Sequence, residues 1–188
     1  ETLEVGTVEA LMCEVEARVG VPENCLLIPP TQALTIARDG LEAMNPSEEE
    51  IKWIETVYKA KIVFIVVHSE NPSHFTLLEV HKGEGESTTI EFRDSLPEPP
   101  ETARAAAKAI LVNLDLVPES YEVPRRSNTK LQRDGWSCGL HTVWWIERSL
   151  RALRGEARGI PDTIKDIAAR GNEFIEKIKS ASKIKAKA

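Results

Sequence analysis

The amino-terminal part of the chain carries apolar residues at the spacing of an amphipathic helix. These positions recur every three or four residues, and Gly20 followed by Pro22 is a typical stop signal. The pattern therefore predicts a first helix with one buried face. Its apolar positions are Val5, Val8, Leu11, Met12, Val15 and Val19.

Two further helices are predicted before residue 60. A short apolar run at 26–28 ends at a pair of prolines, after which Thr31 is placed to cap a short helix through Ala37. Ser47 and Glu50 then form a capping box for a third helix. The apolar positions of that helix are Ile51, Ile54 and Tyr58.

The pattern changes at 61–67, where the continuous apolar run KIVFIVV is typical of a strand buried on both faces. From His74 the residues alternate between apolar and polar, pass glycines at 83 and 85, and resume at 88–93, which predicts a hairpin. Asp94 directly follows the second strand of that hairpin. His74 and Asp94 are therefore expected side by side at one edge of the sheet.

The remaining segments complete an α+β fold class: a mostly antiparallel central sheet with packed helices. An alanine-rich helix is predicted at 101–114, a short strand at 121–123, and a broad apolar helix that begins near Cys138 and ends at Gly155. A last helix is predicted at 162–179. We expect a single domain over 1–180, with 61–155 as its core, and a basic tail at 181–188.

Composition and charge exclude several classes of function. A net charge of -6 argues against nucleic acid as a partner, because neutralising phosphates requires a basic surface. Three cysteines without a CxxC pair fit neither a disulfide framework nor a cysteine-rich zinc site. With no apolar run of membrane-spanning length and an acidic first segment, we expect an intracellular protein, in the nucleus or cytoplasm, that does not enter a membrane.

Cys138 has the surroundings of a nucleophile. It is predicted at the start of a helix, whose positive end favours the reactive thiolate, and it follows the turn-forming pair Asp134 and Gly135. Gly139 comes next and would let the backbone approach a substrate closely. A cysteine at a helix start is by itself weak evidence, since free cysteines are usually small buried hydrophobes.

Two histidines compete as the base. His74 has Asp94 across the predicted hairpin, and such an acid can fix the tautomer and orientation of an imidazole. His141 lies three residues after Cys138 on one helix, so the two side chains are neighbours, yet the sequence offers it no orienting acid. We therefore prefer His74. His68 and His81 are expected at surface or strand positions.

Gln132 lies six positions before Cys138, in the loop that leads to the predicted helix. From there its amide could bind an oxyanion together with the backbone N–H of Cys138. The residues HFTLLEV, FRDSL and QRDGWSCG, in that order, resemble the ubiquitin-like-protein protease family, the SUMO-protease relatives of the adenovirus protease. The resemblance covers roughly residues 61–155.

The resemblance implies a papain-like, adenain-like cysteine proteinase fold with the nucleophile at the amino terminus of a central helix. It implies a triad of Cys138, His74 and Asp94 with Gln132 as oxyanion donor, and cleavage after a Gly-Gly terminus of a SUMO-like modifier. Phe75 stands where the family usually has a tryptophan over the diglycine, and Trp136 replaces a common tyrosine.

The same resemblance implies that no metal or cofactor is needed, and that the partners are a ubiquitin-like modifier and its conjugates. We expect a monomer. Two alternatives stay open: a cysteine-dependent acetyltransferase of the related bacterial effectors, and a catalytically inactive modifier-binding module.

Overall fold

A computed structural model describes residues 3–40, 48–83, 88–124 and 137–156, together with residues 168, 169, 172, 173 and 176; for 48–50 it describes the backbone alone. This part of the chain contains five helices and four strands. In chain order they are α1 (Val5–Val19), β1 (Cys25–Ile28), α2 (Pro30–Asp39), α3 (Glu48–Lys59), β2 (Ile62–Ser69), β3 (His74–Lys82), β4 (Thr88–Arg93), α4 (Glu101–Asn113) and α5 (Cys138–Leu153).

The four strands form one sheet in the order β1-β2-β3-β4. The pair β1 and β2 is parallel, whereas β2 with β3 and β3 with β4 are antiparallel. The predicted α+β class with a mostly antiparallel sheet is therefore confirmed. The run KIVFIVV is an interior strand, with all six residues from Ile62 to Val67 buried.

Helices cover both faces of the sheet, which explains why β2 is apolar on both sides. On one face α1 and α5 pack together over Phe64, Val66 and Leu77. On the other face α2 and α4 pack over Val63 and Ile65. Because side chains alternate along a strand, one eight-residue strand supplies both cores.

Several predicted elements occur within about two residues of their expected bounds. The first helix begins at Val5 and ends at Val19, and its residues Val8, Leu11 and Val15 are buried. The hairpin, the alanine-rich helix and the helix that begins at Cys138 are likewise present. The turn around Gly85, Ser47 of the capping box and most of the helix predicted at 162–179 lie outside the described residues.

Two local predictions are wrong. Thr31 does not cap α2, because the helix already begins at Pro30, and the free amide of Thr31 instead donates to Glu9 Oε1 at 3.0 Å. A carboxylate from α1 thus supplies the missing acceptor at the start of α2. No strand forms at 121–123, where Val123 instead buries its side chain against the core shared with α2 and α4.

The third helix is present, but its buried face differs from the expected one. Ile51 and Tyr58 are 46% and 51% exposed, and Val57 is the residue that faces the core at 1%. Trp53 and Ile54 pack beside Val57. The buried face of α3 is therefore formed by Trp53, Ile54 and Val57, whereas Ile51 and Tyr58 face solvent.

Candidate active site

The sheet brings His74 and Asp94 to one edge. His74 is the first residue of β3, and the β3–β4 register pairs Leu77 with Arg93, the last residue of β4. Asp94, one position further, therefore lies beside the start of β3. The sequence-based expectation that these two side chains meet is matched by the geometry.

His74 and Asp94 form a buried pair. Nε2 of His74 is 2.9 Å from each carboxylate oxygen of Asp94, and the two residues are 4% and 0% exposed. The backbone N–H of Leu96 also donates to Asp94 Oδ1 at 2.7 Å, which orients the carboxylate. With Nε2 directed at Asp94, Nδ1 is the ring nitrogen left for a substrate or a nucleophile.

The surroundings of His74 favour its protonated form. Burial alone lowers the pKa of His74, but its hydrogen-bonding interactions with Asp94 and Cys138, together with the charges of both groups, outweigh burial and raise that pKa to about 9. Cys138 is therefore one of the two side chains that act on the His74 ring. An imidazolium between a carboxylate and a thiol is the arrangement that cysteine nucleophiles use.

Cys138 is the first residue of α5 and is 2% exposed. Because the amide groups of the first turn have no partners within the helix, this end carries partial positive charge and suits an anion. Two hydrogen bonds stabilise the first turn of α5. The backbone N–H of His141 donates to the Ser137 carbonyl, and the Thr142 hydroxyl donates to the Cys138 carbonyl, each at 3.0 Å. The thiol thus lies on a rigid element.

His141, the rival base, occupies a different environment. It is 2% exposed within α5, and its ring centre lies 6.0 Å from that of Trp145. The histidine that the structure brings to Asp94 is His74. The preference for His74 over His141 therefore has a structural reason.

Two residues that we expected to contact substrate are placed in the core instead. Phe75 is 1% exposed, so it is not the open aromatic lid that the resemblance implies. Gly139 is buried, and a Cβ atom there would lie 2.7 Å from Val8 Cγ2, so its missing side chain makes room for α1. Both assignments are corrected: the Phe75 side chain is enclosed by protein, and the space beside Gly139 is filled by α1 and its neighbours.

Gln132 and Trp136 lie outside the described residues, and their roles remain predictions. His68, expected at a surface or strand position, lies in β2, where its Nε2 is 3.0 Å from Ser73 Oγ and its ring is 4.6 Å from Phe75. Burial, assisted by the nearby charge of His74, lowers the pKa of His68 against a raising effect of Glu70. Counting the hairpin register, which pairs His68 with Phe75, could have found this neighbour.

No group of three or more His, Cys, Asp or Glu side chains among the described residues could hold a metal ion. Within these same residues, none of the helices has the length and apolar character needed to cross a membrane.

The overall architecture is that of the ubiquitin-like-protein proteases. Effector protein XopD of Xanthomonas campestris, solved bound to ubiquitin, matches with a TM-score of 0.63 and 22% identity over 90% of this chain and 91% of that chain. The yeast Ulp1 protease domain, solved with the SUMO orthologue Smt3, matches at 0.55 and 18% over 93% and 75%. The likeness confirms the fold that the sequence resemblance implied.

A further Ulp1 structure, whose catalytic cysteine is oxidised to a sulfonic acid, matches with a TM-score of 0.59 and 17% identity over 93% of this chain and 76% of that chain. No protein-family model matches the sequence. No curated protein matches it either.

Proposed function

We propose that this chain is a cysteine peptidase that cleaves after the carboxyl terminus of a ubiquitin-like modifier. One observation carries the proposal: a buried His74–Asp94 pair lies beside a thiol, Cys138, at the amino terminus of a helix. Each group has the partner that its role requires. Cys138 is the nucleophile, His74 the proton carrier and Asp94 the group that orients and stabilises the imidazolium.

The first half of the reaction forms a thioester. The Cys138 thiolate attacks the carbonyl carbon of the terminal glycine, and the carbonyl electrons move to oxygen. When this intermediate collapses, the carbon–nitrogen bond breaks and the leaving amine takes the proton from the His74 imidazolium. A pKa of about 9 keeps His74 protonated at neutral pH, as a general acid requires.

The second half regenerates the enzyme. Neutral His74 removes a proton from a water molecule, whose oxygen attacks the thioester carbon and expels the Cys138 thiolate. The modifier leaves with a free carboxylate, and His74 is again an imidazolium. In both halves we assign the oxyanion to the Cys138 backbone N–H and the Gln132 amide, with Trp136 beside the incoming glycines.

The modifier partner is supported by the fold. XopD was solved with ubiquitin and Ulp1 with Smt3, so proteins of this architecture hold such modifiers. Since the leaving amine can be an α-amine or a lysine side chain, the same chemistry serves precursor maturation and removal of the modifier from conjugates. A modifier substrate also implies an intracellular site of action.

Turnover of full-length modifiers tests the proposal. Ubiquitin and SUMO carrying a fluorogenic amide at the carboxyl terminus should be hydrolysed, and Cys138→Ala should reduce kcat by more than about 10⁴-fold with the fold unchanged by circular dichroism. Cys13→Ala, which removes an exposed thiol on α1, is the matched control and should retain activity.

Three outcomes would contradict the peptidase. Hydrolysis near wild-type rates by Cys138→Ala would remove Cys138 as the nucleophile. Transfer of a labelled acetyl group from coenzyme A without hydrolysis would favour the acetyltransferase. Binding of a modifier with neither reaction would identify an inactive binding module.

A further inference from the structure

The residue after the nucleophile lies where three elements meet. A Cβ atom built on Gly139 would be 2.7 Å from Val8 Cγ2 in α1, 3.3 Å from Leu3 Cδ1 and 3.4 Å from Phe75 Cδ2 in β3. Non-bonded carbon atoms prefer about 3.5–4.0 Å, so the first of these contacts would be a severe overlap. The absence of a side chain at 139 lets α1 and α5 approach.

This contact lies one residue away from each proposed reacting group. Gly139 follows Cys138, and Phe75 follows His74. Val8 and Phe75 are 0% and 1% exposed, so neither side chain can swing into solvent to relieve an overlap. Because such an interior is close-packed, a change in this contact must move the backbone of α1, α5 or β3.

The helix α1 is also fixed to α5 farther along. Arg18 of α1 donates to Glu147 of α5 at 2.8 Å, and the Arg154 guanidinium donates to the carbonyl of Val19 at the end of α1. With these two attachments in place, α1 cannot slide away as a whole. An added methyl group at 139 is therefore expected to displace the first turn of α5, which carries Cys138.

We propose that Val8, Phe75 and Gly139 are positioning residues that set the separation between the Cys138 thiol and the His74 ring. The proposal rests on the function proposed above, in which these two groups react together. It makes α1 part of the catalytic apparatus, although the described residues of α1 supply none of the proposed reacting groups. It also gives a reason for the burial of Phe75.

A set of small substitutions tests this assignment. Gly139→Ala should lower kcat for a modifier substrate on the order of 100-fold with little change in KM, because a misplacement of about 1 Å has that effect. Adding Val8→Ala removes Cγ2, the atom in closest contact, and should restore most of kcat. Gly6→Ala is the matched control in α1, since its Cβ would meet nothing within 4 Å.

The titration of His74, followed by NMR, provides a readout that does not require hydrolysis. Because Cys138 contributes to the raised pKa of His74, a wider separation in Gly139→Ala should move that pKa back toward 6.5. The double variant should return it toward 9. A general loss of packing would lower stability without this reversal.

The outcomes separate the two proposals. If the wild type does not hydrolyse modifiers but Gly139→Ala shifts the His74 titration and Val8→Ala reverses it, the peptidase fails and the positioning stands. If Gly139→Ala keeps wild-type kcat and titration, or if the folded double variant recovers neither, the positioning is overturned. If Gly139→Ala alone does not fold, the double variant is compared with the single variant Val8→Ala. Equal kcat and an equal His74 pKa in these two variants support the proposal. A kcat of the double variant far below that of Val8→Ala overturns it.

Discussion

At the scale of single residues, the proposed chemistry depends on His74, which interacts with a buried carboxylate and with a thiol. Asp94 is fully buried and contacts Nε2 through both oxygens, so the protonated ring gains two close acceptors. Burial of the ring is the largest single effect and lowers the pKa, but the interactions with Asp94 and Cys138 together outweigh it and raise the pKa from 6.5 to about 9. The same group is therefore both a catalytic acid and a pH-dependent source of stability.

The sign of that dependence can be measured. A histidine whose pKa is raised on folding contributes fully below pH 6.5 and loses its contribution as the pH rises through about 9. We expect the free energy of unfolding, from urea titrations between pH 6 and 9.5, to fall more steeply for the wild type than for His74→Gln. The slope is the readout, because His74→Gln also lowers stability at every pH.

Removing Asp94 or Cys138 should also make the free energy of unfolding depend less steeply on pH. Asp94→Asn and Cys138→Ala each remove one contribution to the raised pKa of His74, and the hydrogen bond to Asp94 is the larger. A pH dependence identical in the wild type and His74→Gln would contradict the raised pKa.

At the scale of elements, the contact between α1 and α5 contains a buried charge. Glu147 of α5 is 0% exposed and accepts from Arg18 of α1 at 2.8 Å and from Arg151 at 2.9 Å. The bond to Glu147 is the largest of the interactions that raise the pKa of Arg18. The two helices are therefore joined by an ion pair as well as by apolar packing.

Glu147→Gln is expected to lower the free energy of unfolding by about 2 kcal/mol, because it removes the fully buried anion that Arg18 and Arg151 share, while each guanidinium keeps a more exposed carboxylate partner. Urea denaturation measures the change. Glu156→Gln is the control, since Glu156 is 41% exposed where it pairs with Arg151, and an exposed pair is worth about 1 kcal/mol or less. Equal effects of the two substitutions would contradict a structural role for the buried ion pair.

Periodicity predicted the elements better than their contacts. The spacing of Val8, Leu11 and Val15 located α1, and the change to the run at 61–67 located β2. The acceptor at the start of α2 could not be predicted, because Glu9 comes from another helix. Tyr121 and Val123, on either side of Glu122, favour a strand, but Val123 is instead buried in the core on the α2 and α4 side of the sheet.

In the candidate site, too, the sequence predicted the elements but not all of the tertiary contacts. The order of a strand-opening histidine, a strand-ending aspartate and a helix-opening cysteine was visible in the sequence, and the sheet register brings the first two together. Whether Phe75 and Gly139 faced a substrate or the core depended on which face α1 covers. That fact belongs to the tertiary structure.

At the scale of the whole molecule, the sheet separates two cores, and the candidate site lies at the edge where β3 begins and α5 begins. Only the core shared by α1 and α5 contains Cys138 and Phe75. The second core, with α2 and α4, supports the strands from the other side. Substitutions in the first core are therefore expected to affect catalysis more often than equivalent ones in the second.

The most direct test is reaction of the intact chain with full-length ubiquitin and SUMO whose carboxyl termini carry an electrophile, followed by peptide mapping by mass spectrometry. We expect one modifier adduct, on Cys138, formed by the wild type and far more slowly by His74→Ala. The exposed Cys13 is an internal control for non-specific reaction. An adduct on Cys13, or an equally fast reaction of His74→Ala, would contradict the account.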